Sequence, residues 1–167
     1  MCTLHAIAEK WLLPRLAQYQ NEQEAGINTL AVTTISPDDL NQADICISYQ
    51  TRPDNDFVCV ELMRESIVPV CSPQLLQASG REPHDMLKLY PWLCDLDWEQ
   101  DWQLWQATHP PANLKPVQRL NFSLYSLVID AAVKNMGIAM GRTQLIQAEL
   151  EEGRLIALAD NPLPLPH

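Results

Sequence analysis

The chain contains five cysteines (Cys2, Cys46, Cys59, Cys71 and Cys94) and four histidines (His5, His84, His109 and His167). These are the residue types that bind soft metals or act as nucleophile and base. Their spacing serves neither role. No two cysteines form a CxxC pair, and no Cys/His set has the spacing of a zinc site. An odd number of scattered cysteines reads as reduced thiols in a cytoplasmic protein. Cys71 with His5 or His84 could make a thiol hydrolase, but such a thiol needs a cation or a helix N-terminus to lower its pKa. No motif supports that pairing, and the carboxylates form no paired constellation. No catalytic residue, metal or cofactor is therefore expected.

Charge excludes another class. Eleven Lys and Arg stand against 21 Asp and Glu, a net charge of −10. DNA affinity comes largely from basic side chains neutralising phosphates, so this chain by itself is not expected to bind nucleic acid. Trp98, Trp102 and Trp105 have helical spacing and could imitate a base-stacking platform. In so acidic a chain they read as the packing face of one helix. No run of 18 apolar residues suggests a membrane span, and MCTLHAIAEKW lacks the basic region and apolar stretch of a signal peptide.

The elements that would position any site follow from periodicity. Residues 5–20 carry Ile7, Trp11, Leu12, Leu16 and Tyr19 on a helical stripe interrupted by Pro14. Strands are expected over 27–34, 43–49, 57–63 and 66–72. Pro69 within the last is awkward unless that strand lies at an edge or bend. Ser36 before Pro37 reads as a helix N-cap. Pro73 opens a helix that Gly80 ends. A short helix near 85–90, a strand near 91–96 and the tryptophan helix follow, then a break at 109–113. A strand over 118–124 leads to a strong helix from Ser123 to Met136, closed by Gly137. A strand at 138–140, a helix at 143–152 with Gly153 after it, and a strand at 154–159 complete the pattern. The tail NPLPLPH reads as irregular. Alternating strands and helices make this an α/β chain with a mostly parallel sheet. The strand feeding the first helix is expected to be short or missing, since only MCTL precedes that helix.

Five blocks then occur in a familiar order: WLLPRLAQYQ, QADICISYQ, ELMRESIVPVCSPQLL, YPWLCDLDWEQDWQLWQA and NFSLYSLVIDAAVKNMGIAMGRTQLIQAELEEGRLIAL. Together they resemble the substrate-binding domain of LysR-type transcriptional regulators over nearly the whole chain. The tryptophan-rich middle and the VCSP block resemble the glycine cleavage activator branch. The resemblance implies two Rossmann-like lobes joined by two crossover strands, as in type 2 periplasmic binding proteins. Lobe I would be 1–65 plus 145–167 and lobe II 66–144, with crossings near Ser66–Pro69 and Gly141–Thr143. It also implies a winged helix-turn-helix that this chain lacks, so DNA contact would be made elsewhere in a longer protein. Homodimers or higher oligomers are expected, as is a cytoplasmic location.

In such folds a small-molecule effector lies between the lobes, where helix N-termini favour an anion. Three walls are then candidates. The first is Thr3 and His5, at the entry to the first helix. The second is Ser123, Tyr125 and Ser126, with Ser123 equally readable as a plain N-cap. The third is Thr33, Thr34, Tyr49 and Gln50, beyond the carboxyl ends of two strands. Gln50 and Asn135 stand where the family usually has glycine. The function implied is effector sensing that modulates transcription. The alternative is a periplasmic-type solute-binding protein, which the absence of a signal sequence and the scattered cysteines disfavour.

Overall fold

A computed structural model of the chain describes residues 1–22, 26–49, 57–109 and 114–165. Gln50 lies outside them. The chain divides into two units, one over Met1–Leu62 and one over Met63–Leu165.

In the first unit, short apolar runs pair into a fully parallel three-stranded sheet of order β2-β1-β3. Its strands are β1 (Cys2–Leu4), β2 (Leu30–Val32) and β3 (Cys46–Ile47). The strand before the first helix is thus present, short and central. The helical run opens as α1 (His5–Ile7), passes through a π turn (Ala8–Leu12) and continues as α2 (Leu13–Glu22). Pro14 explains the π turn. Its ring crowds the carbonyl four residues back and it has no N–H to donate. The wider turn just before it, closed by the Leu13 N–H on the Ala8 carbonyl, absorbs the misfit. Ala6, Ile7, Ala8 and Leu12 are the buried face.

Ser36 caps α3 (Pro37–Gln42) as expected. Its Oγ accepts the Asp39 N–H at 3.3 Å, and Asp39 Oδ2 accepts the Ser36 N–H at 2.8 Å, a reciprocal capping box. The Ser36 hydroxyl, then its backbone N–H, hold the Asp39 carboxyl below its ordinary value. The strand expected over 57–63 is not one: 57–62 has no ladder partner among the described residues, and Val58 and Val60 are exposed. Alternating β-branched residues favour extended backbone, but a strand also needs a neighbour for its N–H and C=O groups.

The second unit is built on a mixed sheet of order β6-β5-β7-β4-β8, with β9 also on β4. The strands are β4 (Ser66–Cys71), β5 (Trp92–Asp95), β6 (Arg119–Phe122), β7 (Ile138–Arg142), β8 (Ile156–Ala157) and β9 (Leu163–Pro164). β5 runs parallel to β6 and β7, while β4 runs antiparallel to β7, β8 and β9. The sheet is therefore less parallel than its α/β pattern suggested. The tail, expected to be irregular, contributes β9. β8 and β9 both pair with β4, and residues 145–165 fall in this unit.

Pro69 lies inside β4. Its carbonyl accepts the Leu158 N–H at 2.8 Å, so its bare nitrogen faces the same side, toward β8 and β9. On that side β9 pairs at Ser66 and Ile67 and β8 at Val70 and Cys71. Proline fills the gap between two short partners, where no donor is needed.

The helices are α4 (Pro73–Ser79), α5 (Pro83–Leu89), α6 (Gln100–Thr108), α7 (Tyr125–Val133) and α8 (Gln147–Glu151). α7 buries Val128, Ile129, Ala131 and Ala132. Trp92 and Trp102 stack with ring centroids 3.9 Å apart. After α7 the chain turns at Asn135, whose φ is +66°, into Gly137. Asparagine is among the few side-chain-bearing residues that tolerate this backbone, which explains its standing in for glycine. Gly137 has no such latitude, because a Cβ there would run into the Pro91 carbonyl oxygen.

Candidate functional site

Each unit gathers polar side chains at the carboxyl edge of its parallel strands, the edge where open α/β sheets bind ligands. In the first unit, β1 passes directly into α1, β2 into Thr33 and Thr34, and β3 toward Tyr49. Thr33 and Thr34 are exposed. His5 is half-exposed at the first helical position, with Nδ1 3.6 Å from Glu9 Oε2. Thr3 is different. It is fully buried within β1, and its hydroxyl donates to the Ile47 carbonyl at 2.8 Å, tying β1 to β3. Of the expected residues here, His5, Thr33 and Thr34 are open to a ligand, whereas Thr3 is occupied inside the sheet.

In the second unit, Asp95, Phe122 and Arg142 end β5, β6 and β7 at one edge. Ser123 follows β6 and is exposed. It is not the N-cap of α7. Leu124 holds that position and has no capping side chain, so the chain enters the helix one residue later than expected. Tyr125 is buried, and its hydroxyl accepts the Arg142 N–H at 2.7 Å and donates to the Met140 carbonyl at 3.3 Å. That hydroxyl joins α7 to β7. Ser126 is also buried.

Behind this edge lies a charged cluster that sequence reasoning missed. Arg142 Nε and Nη2 donate to Asp101 Oδ2 and Oδ1, each at 2.9 Å, with both side chains almost fully buried. The guanidinium also lies 3.9 Å over the Trp98 ring. Burial raises the Asp101 carboxyl, with Arg142 as the opposing pull. Asp95 Oδ1 accepts the N–H groups of Asp97 and Trp98 at 2.8 and 3.0 Å. Burial raises its carboxyl too, against those two bonds. Glu65 is buried beside the start of β4 and accepts from Ser66 N, Thr143 Oγ1 and Gln144 N at 3.0–3.1 Å. Asp95, Trp98, Asp101 and Tyr125 line a small pocket whose free volume, about 10 Å³, fits a single water. That is too little for a metabolite, so the cluster serves to build the edge. Asp95 had a readable signal: an Asp at a strand end before a turn, whose side chain caps the following N–H groups. The Asp101–Arg142 pair had none, since 41 residues separate its members.

Cys71 is fully buried, and burial pushes its thiol up to about 11. That is the opposite of an activated nucleophile. Among the described residues, no group of three His, Cys, Asp or Glu side chains is placed to hold a metal ion.

The family described as LysR substrate binding domain matches residues 1–167. The chain belongs to this LysR family. Among curated relatives, it is 29% identical to the HTH-type transcriptional regulator DsdC of Escherichia coli K12, over 91% of this chain and 51% of that protein. It is also 29% identical to the glycine cleavage system transcriptional activator of the same strain, over 92% of this chain and 50% of that protein. The chain thus spans about half the length of the curated relatives it matches. Among solved structures, it resembles the AmpR effector binding domain from Citrobacter freundii, with a TM-score of 0.78 and 20% identity over 98% of this chain and 82% of that one. It also resembles the CrgA regulatory domain from Neisseria meningitidis, with a TM-score of 0.66 and 16% identity over 98% and 83% of the two chains. The fold is the two-lobed α/β fold of LysR effector domains, of the type 2 periplasmic-binding-protein kind. No helix of the described residues is long and apolar enough to cross a membrane.

Proposed function

We propose that this LysR domain is a cytoplasmic sensor that binds a small anionic metabolite and, through a helix-turn-helix elsewhere in a longer protein, modulates transcription. The carrying observation is the exposed hydroxyls of Thr33, Thr34 and Ser123 at the carboxyl ends of parallel strands. His5 stands at a helix start beside the first set. Helix starts present N–H groups and the positive end of the helix dipole, which favour a carboxylate. Tyr49 belongs to the same edge of the first unit, and Tyr125 and Ser126 support that of the second. Thr3 acts one step back by holding β1 on β3. Gln50, expected from sequence beside Tyr49, lies outside the described residues. A ligand that binds one conformation better than another shifts the population between them, which is all that signalling requires. The net charge of −10 supports assigning DNA contact to another part of the protein. The curated relatives' names support a regulator over an enzyme. A homodimer or higher oligomer is the expected form, measurable by light scattering.

Isothermal titration of the purified chain over amino acids, dicarboxylates and aromatic acids tests the proposal. At least one carboxylate is expected to bind, with affinity falling about tenfold for Thr34→Ala or Ser123→Ala, the loss of one hydrogen bond to a charged group. A folded chain that binds nothing in the panel contradicts it.

A further inference from the structure

Cys2 and Cys46 face each other directly. Cys2 is paired with Cys46 in the parallel ladder between β1 and β3, so both side chains stand on the same face of the sheet. Neighbouring strands lie about 4.8 Å apart, inside the Cα separation a disulfide accepts. Cys46 is partly exposed and Cys2 is fully buried. One thiol can therefore be reached from solvent, and the second waits behind it.

We propose that Cys2 and Cys46 form a reversible disulfide, made by a hydroperoxide, that staples β1 to β3. Cys46 sulfur attacks the peroxide oxygen, breaking the O–O bond. This gives the Cys46 sulfenic acid and releases an alcohol, or water from hydrogen peroxide. The Cys2 sulfur then displaces the sulfenic hydroxyl, forming the S–S bond and releasing water. Two thiols lose two electrons and two protons, and the peroxide takes both. Burial, and then the neighbouring Cys2, raise the Cys46 thiol above its ordinary value. A protonated thiol reacts slowly, so this oxidation is slower than at an activated thiol. The bond would close the sheet beneath His5, where β1 enters the first helix. It is independent of any effector.

The test uses the whole chain carrying Cys59→Ser, which removes the exposed cysteine as a source of bonds between molecules. The protein is treated with hydrogen peroxide, its remaining thiols are alkylated with N-ethylmaleimide, and its peptides are mapped by mass spectrometry. The expected result is a peptide containing Cys2 linked to one containing Cys46, with both sites lost to alkylation. Dithiothreitol should restore both. The chain with native Cys59 should give the same link, which guards against an effect of the substitution. The proposal is overturned if Cys2 and Cys46 both remain alkylated under peroxide, or if Cys46 passes to sulfinic acid without a link.

Discussion

Replacing Asp101 with alanine should strand a buried cation. The side chain supplies both oxygens to Arg142, and the pair is only 4–6% exposed. Removing one member of such a pair typically costs about 3–5 kcal/mol, because the remaining charge stays out of water. The structure sets the cost near the lower end. Trp98 keeps its face on the guanidinium, a contact worth about 2 kcal/mol at most. Asp95 also remains within its field. A loss of about 3 kcal/mol is thus expected. For a unit of about 100 residues this corresponds to a fall of roughly 12–24 °C in Tm. Urea denaturation followed by tryptophan fluorescence and far-UV circular dichroism would measure it. The double variant Asp101→Leu with Arg142→Met separates causes, since apolar replacement of a buried pair is often neutral. It should be more stable than Asp101→Ala alone. The reasoning is refuted if Asp101→Ala costs under about 1 kcal/mol, the value of an exposed pair.

Three further outcomes follow from the same structure. Gly137→Ala drives a Cβ into the Pro91 carbonyl and should cost about 3 kcal/mol, readable as a lower urea midpoint. A midpoint equal to the parent's would mean that the turn yields. Ser36→Ala removes the capping box of α3 and should cost about 1 kcal/mol. Slower amide exchange in 37–42 would contradict that. The Cys71 thiol is raised in the folded chain from an ordinary 9.0 to about 11. Its contribution is therefore complete below pH 9 and lost as pH rises to 11, on the order of 3 kcal/mol in all. Cys71→Ala should show a shallower decline over that window, and parallel curves would rule the effect out.

Much of the second unit was legible in sequence because its elements are long and well punctuated. Pro73 and Gly80 bracket α4, and the apolar positions Leu127, Val128, Ala131, Ala132 and Val133 announce α7. The strand expected over 57–63 does not form because local pattern reports propensity, whereas a strand depends on a partner elsewhere in the chain. The tail was misread for the converse reason. Pro164 argued against regular structure, yet a two-residue pairing with Ser66 and Ile67 suffices at an edge. Ser123 looked like a cap because serine favours that position, but the chain bends one residue later. The exposed hydroxyls at strand ends could be named from sequence. The buried charges behind them could not, since Asp101 and Glu65 look like any surface acid until tertiary contacts enclose them.

Pro69 also bears on how the second sheet finds its alignment. In the native register, Val68 and Val70 exchange bonds with β7, and the proline's bare nitrogen is turned away from it. A slip of one residue would aim that nitrogen at β7, deleting a bond from the middle of the ladder, and would turn every β4 side chain to the wrong face. Misaligned pairs are thus short of both bonds and burial from the outset. They should come apart before β8 and β9 can fasten the far side. The proline acts as a proofreading mark, rejecting errors at the step where β4 first meets β7.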